Sequence, residues 1–235
     1  MEKKNYLIIG GSSGIGLAIV QNLVEQGHQV WVASRNKSPE LEKLNVQHTT
    51  WNVQEPVSTR FENLPELHGL AYCPGTINLK PFHRLTREDF LQDLQINVLG
   101  AIEALQATYK QLKNAQNSSV VLFSTVASTL GMNFHSSIAT AKGALEGLAK
   151  SLAAEWASQN IRVNVIAPSL TDTPLASKLL SDDTKREAAA KRHPLGKFGN
   201  VQDIAQMACF LLSEKASWIT GQIIGIDGGM STLKP

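Results

Sequence analysis

Ile8-Ile9-Gly10-Gly11-Ser12-Ser13-Gly14-Ile15-Gly16-Leu17 stands near the N-terminus, and its reading decides the rest. An apolar run enters it at Tyr6, and a helical pattern of apolar residues leaves it. Glycines at such a strand-to-helix junction let backbone N–H groups approach a pyrophosphate at the positive end of the helix. Gly10, Gly14 and Gly16 are spaced Gly-x-x-x-Gly-x-Gly, not Gly-x-Gly-x-x-Gly as in the general dinucleotide fingerprint. Glycine-rich turns are common; the position at the first junction of the chain is what makes this one informative.

Outward from the loop, short apolar runs alternate with longer helical patterns. Strands are expected at 6–10, 29–34, 46–51, 69–73, 119–124, 162–167 and 222–226, and the clearest helices at 14–26, 97–113, 137–158 and 201–213. Alternation without hairpin signals predicts right-handed crossovers and a parallel sheet covered on both faces. The expected fold class is α/β: a single Rossmann-type, doubly wound, parallel seven-stranded sheet with helices on both faces. One domain over residues 1–235 suffices at this length. The long mixed-charge stretch 168–194 reads as a partly helical lid over the C-terminal edge of the sheet, flexible over about 169–194.

Composition narrows the partners. A hydrophobic content of 43%, a charged content of 18% and a net charge of +2 are ordinary for a globular chain and argue for neither nucleic acid nor membrane. Cys73 and Cys209 cannot build a metal cage and read as small apolar side chains, so no metal is expected. The first residues lack the apolar region and cleavage site of a signal peptide, and no apolar stretch reaches the roughly 20 residues of a membrane span. A cytoplasmic location is the expectation.

The loop, followed along the chain, resembles the short-chain dehydrogenase/reductase family, and the likeness covers essentially the whole sequence. The resemblance implies that Gly10, Ser12, Ser13, Gly14, Ile15 and Gly16 hold a nicotinamide dinucleotide, although Ile9 stands where the family usually has threonine. At the end of the second strand an acidic residue would bind the adenosine ribose and repel a 2′-phosphate. Here Ser34 is small and neutral, and Arg35 offers a fork suited to phosphate. NADP(H) is therefore the expected cofactor. Asn52-Val53 stands where the family often has Asp-Val near the adenine. Gly75 closes Tyr72-Cys73-Pro74-Gly75, where Asn-Asn-Ala-Gly is usual. Pro168, Leu170 and Thr173 match the segment that contacts the nicotinamide carboxamide, with Ser169 in place of a glycine. The end of the chain, from His193 through Asp227-Gly228-Gly229, looks most like the β-ketoacyl carrier-protein reductase branch. That likeness implies a homotetramer, with helices 97–113 and 137–158 at one interface and the C-terminal segment at another.

In this family an asparagine, a serine, a tyrosine and a lysine cooperate. By resemblance Asn97 bends a helix and holds a relay water, Lys142 binds the nicotinamide ribose, and Thr125 takes the serine position. Asn97 also reads as an ordinary helix-start residue. Ser124 replaces Thr125 if the register slips by one, but adjacent strand residues face opposite ways. Ile138 occupies the tyrosine position, four residues before Lys142, and an alkyl group cannot donate a proton. Tyr109-x-x-x-Lys113 copies the spacing but precedes the Thr125 strand, so its chain order is wrong. His135 lies seven residues before Lys142 on the same helix face. Enoyl carrier-protein reductases place their tyrosine there, and imidazole can supply a proton. The plainer reading makes it a loop residue beside Ser136 or Ser137 capping the helix. These observations lead to an NADP(H)-dependent oxidoreductase that reduces a carbonyl or activated double bond of a small apolar substrate. The alternative is a silent NADP(H)-binding protein.

Overall fold

Period-two alternation along buried strands puts two apolar layers on one sheet. The computed structural model describes residues 3–234. Its strands are β1 (Asn5–Ile9), β2 (Gln29–Ser34), β3 (Gln47–Thr50), β4 (Gly69–Tyr72), β5 (Ser118–Phe123), β6 (Ile161–Pro168) and β7 (Ile223–Ile226). They pair in the order β3-β2-β1-β4-β5-β6-β7, every pair parallel. This is the expected doubly wound sheet. Helices α1 (Gly14–Glu25), α2 (Pro39–Glu42), α3 (Arg87–Leu94), α4 (Gly100–Asn114), α5 (Ser136–Trp156), α6 (Asp183–Lys191) and α7 (Val201–Leu212) connect the strands.

Leu7, Leu70, Val120 and Val163 point to one face and pack against Leu105 of α4 and Leu145 and Ala149 of α5. Ile8, Ala71, Val121 and Ile166 point to the other and meet Ile19 of α1 and Ile204 and Ala208 of α7. Each fully buried aliphatic side chain contributes about 1.5–3 kcal/mol, so the two layers fix the strand registers. All seven strands consequently end at one edge. Order reverses between β1 and β4, and ligands bind in the crevice at such a switch point.

Two expectations change. The helix expected to start at Asn97 begins ten residues earlier, at Arg87. Thr86 and Asp89 form a reciprocal capping box at its start, which holds a mostly polar helix in place. Between α3 and α4 the backbone widens into a π-turn over Gln95–Leu99. There the Tyr72 hydroxyl donates to the Ile96 carbonyl at 2.6 Å. Asn97 thus sits inside a bent helical run and caps nothing. In the lid stretch, a 3₁₀ segment (Pro174–Leu180) precedes α6, and a single parallel bridge joins Thr171 to Gly199.

Candidate active site

The glycine loop is a backbone device. Gly10 has φ +77°, and its N–H donates to the Ala33 carbonyl at 2.7 Å. Gly16 comes so close to Gly10 that a Cβ there would lie 2.3 Å from the Gly10 oxygen. Ser13 occupies the N-cap of α1 in extended geometry without a capping bond from its side chain, and no acidic residue stands in the first turn. The first N–H groups of α1 thus keep their partial positive charge. Pro74 packs on Gly10, 3.1 Å from where a Cβ would be.

Beside the loop a cavity of about 750 Å³ opens at the carboxyl ends of the strands, and Ile15 and Gly75 form its cofactor-loop side. Thr125, His135, Ile138 and Lys142 share this cavity with Pro168, Leu170 and Thr173. Thr173 also meets Gly14, at 3.6 Å from a Cβ position there.

Lys142 is buried, and its ammonium donates to the Phe123 carbonyl at 2.7 Å. Burial lowers its pKa to about 8, with Cys73 and Asp93 pulling the other way. Thr125 leads a short 3₁₀ turn, Val126–Ser128, and its Oγ accepts from the Ala127 N–H at 3.3 Å. Its own proton is left for an acceptor in the cavity. β5 ends at Phe123, so Ser124 and Thr125 lie beyond the strand, and both line the cavity. Ser124 donates to the buried Glu146 carboxylate at 2.5 Å, and so does Ser128.

His135 itself takes the N-cap position of α5 with no capping side chain. Its Nδ1 lies 2.7 Å from the Asn133 carbonyl. A carbonyl only accepts, so Nδ1 carries a proton and Nε2 is the exchangeable nitrogen. Ser137 does not cap the helix either; it donates to the Asp93 carboxylate at 2.6 Å. Ile138 is buried against the cavity.

Asn97 lies just behind the wall. Its Nδ2 donates to the Asp93 carbonyl at 2.9 Å and to Thr76 Oγ1 at 3.0 Å, while its Oδ1 has no partner. Thr76 donates in turn to the Asp93 carboxylate at 2.5 Å. At Gly75 an added Cβ would lie 3.5 Å from Asn97 Oδ1 and 3.6 Å from Lys142 Nζ. Asp93, Thr76, Ser137 and Glu146 are site-supporting residues that the sequence reading passed over. One signal was available: Asp93 precedes Asn97 by four residues, hence on one helix face.

The remaining expected residues sit at the adenosine end. Ser34 is buried, bonding the Asn36 carbonyl and His48 Nε2 at 2.9 Å each. Burial lowers the His48 pKa, and Lys37 lowers it further. Arg35 is exposed beside it. Val53 packs under α4, 3.0 Å from a Cβ position at Gly100, and Asn52 accepts from the Gln54 N–H. Ser12, too, stands outside the cavity. Tyr109 bonds Gln159 and stacks on Trp156, away from the cavity. Among the described residues no cluster of His, Cys, Asp or Glu is arranged for a metal, and no helix is long and apolar enough to cross a membrane.

Known proteins share this fold. A family model described as enoyl-(acyl carrier protein) reductase matches residues 10–231. A tropinone reductase homolog of Arabidopsis thaliana is 33% identical, covering 98% of this chain and 94% of its own. A short-chain type dehydrogenase/reductase from Mycobacterium ulcerans superposes with a TM-score of 0.90 at 28% identity, over 98% of this chain and 90% of that one. A gluconate 5-dehydrogenase from Burkholderia cenocepacia, solved with NADP and tartrate, gives 0.91 at 25% identity over 100% and 97%. With the glycine cradle, the strand order and a match over nearly its full length, this chain belongs to the short-chain dehydrogenase/reductase family.

Proposed function

We propose that this protein is an NADP(H)-dependent oxidoreductase that reduces a carbonyl or an activated double bond in a small molecule, through an active site without the family's tyrosine. One observation carries the reading: Lys142, Thr125, His135 and Ile138 converge on one cavity beside the glycine cradle. The cradle fits a dinucleotide. Gly10 and Gly16 bring backbone against backbone, and the orphaned Asn97 Oδ1 and the Lys142 ammonium meet at the open face of Gly75. The relative named as a tropinone reductase homolog and the neighbour solved with NADP support reduction and this cofactor. At the adenosine end Arg35, with Lys37 and His48 near Ser34, offers positive and donor groups and no carboxylate to a 2′-phosphate.

The bound reduced cofactor supplies a hydride. Lys142 holds the ribose hydroxyls, and its charge favours negative charge developing nearby. Thr125 donates a hydrogen bond to the carbonyl oxygen of the substrate. His135, its ring oriented by Asn133, is the remaining group on the cavity that carries an exchangeable proton at the position seven residues before Lys142. Asp93, Thr76 and Ser137 lock Asn97 and the first turn of α5 in place. Ile138 contributes apolar surface and no proton. Residues 169–194 serve as the lid.

A homotetramer is part of the proposal. Leu91 and Leu99 are exposed and, with Leu94 and Val98, line an apolar groove along α3 and the π-turn that follows it. Trp218, 98% exposed, stands near the edge strand β7. The first patch overlaps the expected helix 97–113 only at Val98 and Leu99, and the second lies in the C-terminal segment; sedimentation showing a monomer at micromolar concentration would remove this part.

The test of function is NADPH consumption with aldehydes, ketones and enoyl thioesters, in the wild type and in His135→Ala. Turnover that drops in the variant supports the reading. NADPH binding with no turnover on any class would instead leave a silent cofactor-binding protein.

A further inference from the structure

The cavity wall is one-signed. It carries Lys142, Lys178, Lys185 and Arg192 and not one carboxylate, although the chain has 20 Asp and Glu against 22 Lys and Arg. Lys142 lies at the floor and belongs to the cofactor in the reading above. The other three stand on the lid.

Their placement follows from helical spacing. Lys185, Ala188 and Arg192 recur at three and four residues, so α6 turns one face to the cavity with a small residue between two cations. Its acidic residues, Asp183 and Glu187, are not on that face. Lys185 is partly neutralised, bonding Ser181 at 2.7 Å and pairing with Asp182 at 3.1 Å. Arg186 turns elsewhere, to Asp172 and over the Phe198 ring. Among the described residues neither Lys178 nor Arg192 has an ion-pair partner. His193 pins the end of the lid: one ring nitrogen meets the Ala189 carbonyl at 2.7 Å and the other meets Ser169 at 2.8 Å. Ile77, Leu79, Met132 and Leu179 supply apolar wall.

Cations without partners beside an apolar wall suit an amphipathic anion. We infer that the substrate joins an apolar body to an anionic group, a carboxylate or a phosphate, which Lys178 and Arg192 hold at the lid. The inference rests on the NADP(H) oxidoreductase reading and adds the class of substrate. The competing claimant on these cations is the diphosphate of the cofactor. The cradle meets the lid at its start, where Thr173 and Pro174 adjoin Gly14, and the three cations follow beyond that contact.

The test titrates the protein first with NADPH, by its fluorescence, and then titrates the NADP⁺-saturated protein with octanoate, octyl phosphate and octanamide by calorimetry. Octanoate or octyl phosphate should bind about tenfold or more tighter than octanamide, and the two anions show which group is preferred. In the double variant Lys178→Ala/Arg192→Ala the preference should shrink to about threefold or less, with a larger loss for the anions than for NADPH. NADPH binding with equal affinity for octanoate, octyl phosphate and octanamide, or no anion binding up to about 10 mM, overturns the inference alone. A double variant that loses NADPH affinity as much as anion affinity assigns the charges to the cofactor and also overturns it. No NADPH binding at all overturns the oxidoreductase reading itself.

Discussion

The two sides of the cavity are built from different materials. The cofactor side is made of backbone: Gly10 at positive φ, Gly16 against the Gly10 carbonyl, and the opening N–H groups of α1. The side where β5 meets α5 is made of side chains: Lys142, Thr125, His135, and the web of Asp93, Thr76, Asn97 and Ser137 behind them. A backbone site depends on what cannot be added, so it survives changes such as Ile9 and Pro74 that leave the glycines alone. A side-chain site depends on a particular group at each position, and on the proposed function Ile138 packs where a proton donor is needed. On that proposal, binding and chemistry are separable in this molecule.

Substitutions can break that separation, the largest effect first. Gly16→Val puts a Cβ 2.3 Å from the Gly10 oxygen. It should abolish NADPH binding and lower stability by about 3 kcal/mol or more, read by fluorescence titration and thermal unfolding. Normal binding in that variant would mean that the cradle is not where the dinucleotide lies. Asp93→Ala removes the shared acceptor of the Thr76 and Ser137 hydroxyls and leaves buried Ser137 only the Asp89 carbonyl at 3.3 Å. A stability loss of about 2–4 kcal/mol is expected, with partial recovery in Asp93→Asn. If chemical denaturation shows Asp93→Ala to be neutral, the web does not hold the catalytic side together.

Arg35→Ala should weaken NADPH by about 1.5–3 kcal/mol and leave NADH little changed. Equal losses would show that Arg35 does not read the 2′-phosphate. The smallest effect is on pH. Lys142 has a pKa of about 8 in the folded protein, below the ordinary lysine value of 10.5. Between these values the unfolded chain binds more protons, so stability of the cofactor-free protein rises with pH across that window. NADPH binding should move the opposite way. The ammonium is lost above pH about 8, and affinity should fall by about tenfold toward pH 9 if the charge matters to the ribose contact. A flat affinity profile in the wild type, identical to that of Lys142→Met, would remove the charge from the contact.

Much of the architecture was legible in the sequence because apolar runs and glycine junctions are local signals. All seven expected strands lie within one residue of the observed boundaries at both ends. The helix α3 was not legible from apolar spacing, since Arg87-Glu88-Asp89-Phe90 is mostly polar and its clearest marker is the cap at Thr86. The π-turn at Asn97 has no sequence period of its own. The Asp93 web joins residues 17 and 44 apart in the chain, a distance over which no repeat or spacing argument reaches. Ser124 and Thr125 lie one and two residues past the end of β5, where pleat alternation no longer decides which way a side chain faces. The lid cations were not legible either, since the face that α6 presents to the cavity becomes visible only with the fold.

The central claim is that cofactor binding is intact while the proton donor is displaced, and Ile138→Tyr tests it most directly. Carbonyl reduction and NADPH affinity are measured side by side in the wild type, in Ile138→Tyr and in His135→Ala. A phenol at position 138 lies on the same cavity as the Lys142 ammonium, whose charge lowers its pKa. Turnover should rise by about tenfold or more, within the roughly 10²–10⁴-fold range of general acid catalysis, with NADPH affinity held within about threefold. A large loss in His135→Ala with no gain from the tyrosine would make His135, the displaced donor of this account, sufficient as the working acid of a rebuilt site. If NADPH binds and neither substitution changes turnover, the account is contradicted, and the protein binds its cofactor without doing this chemistry.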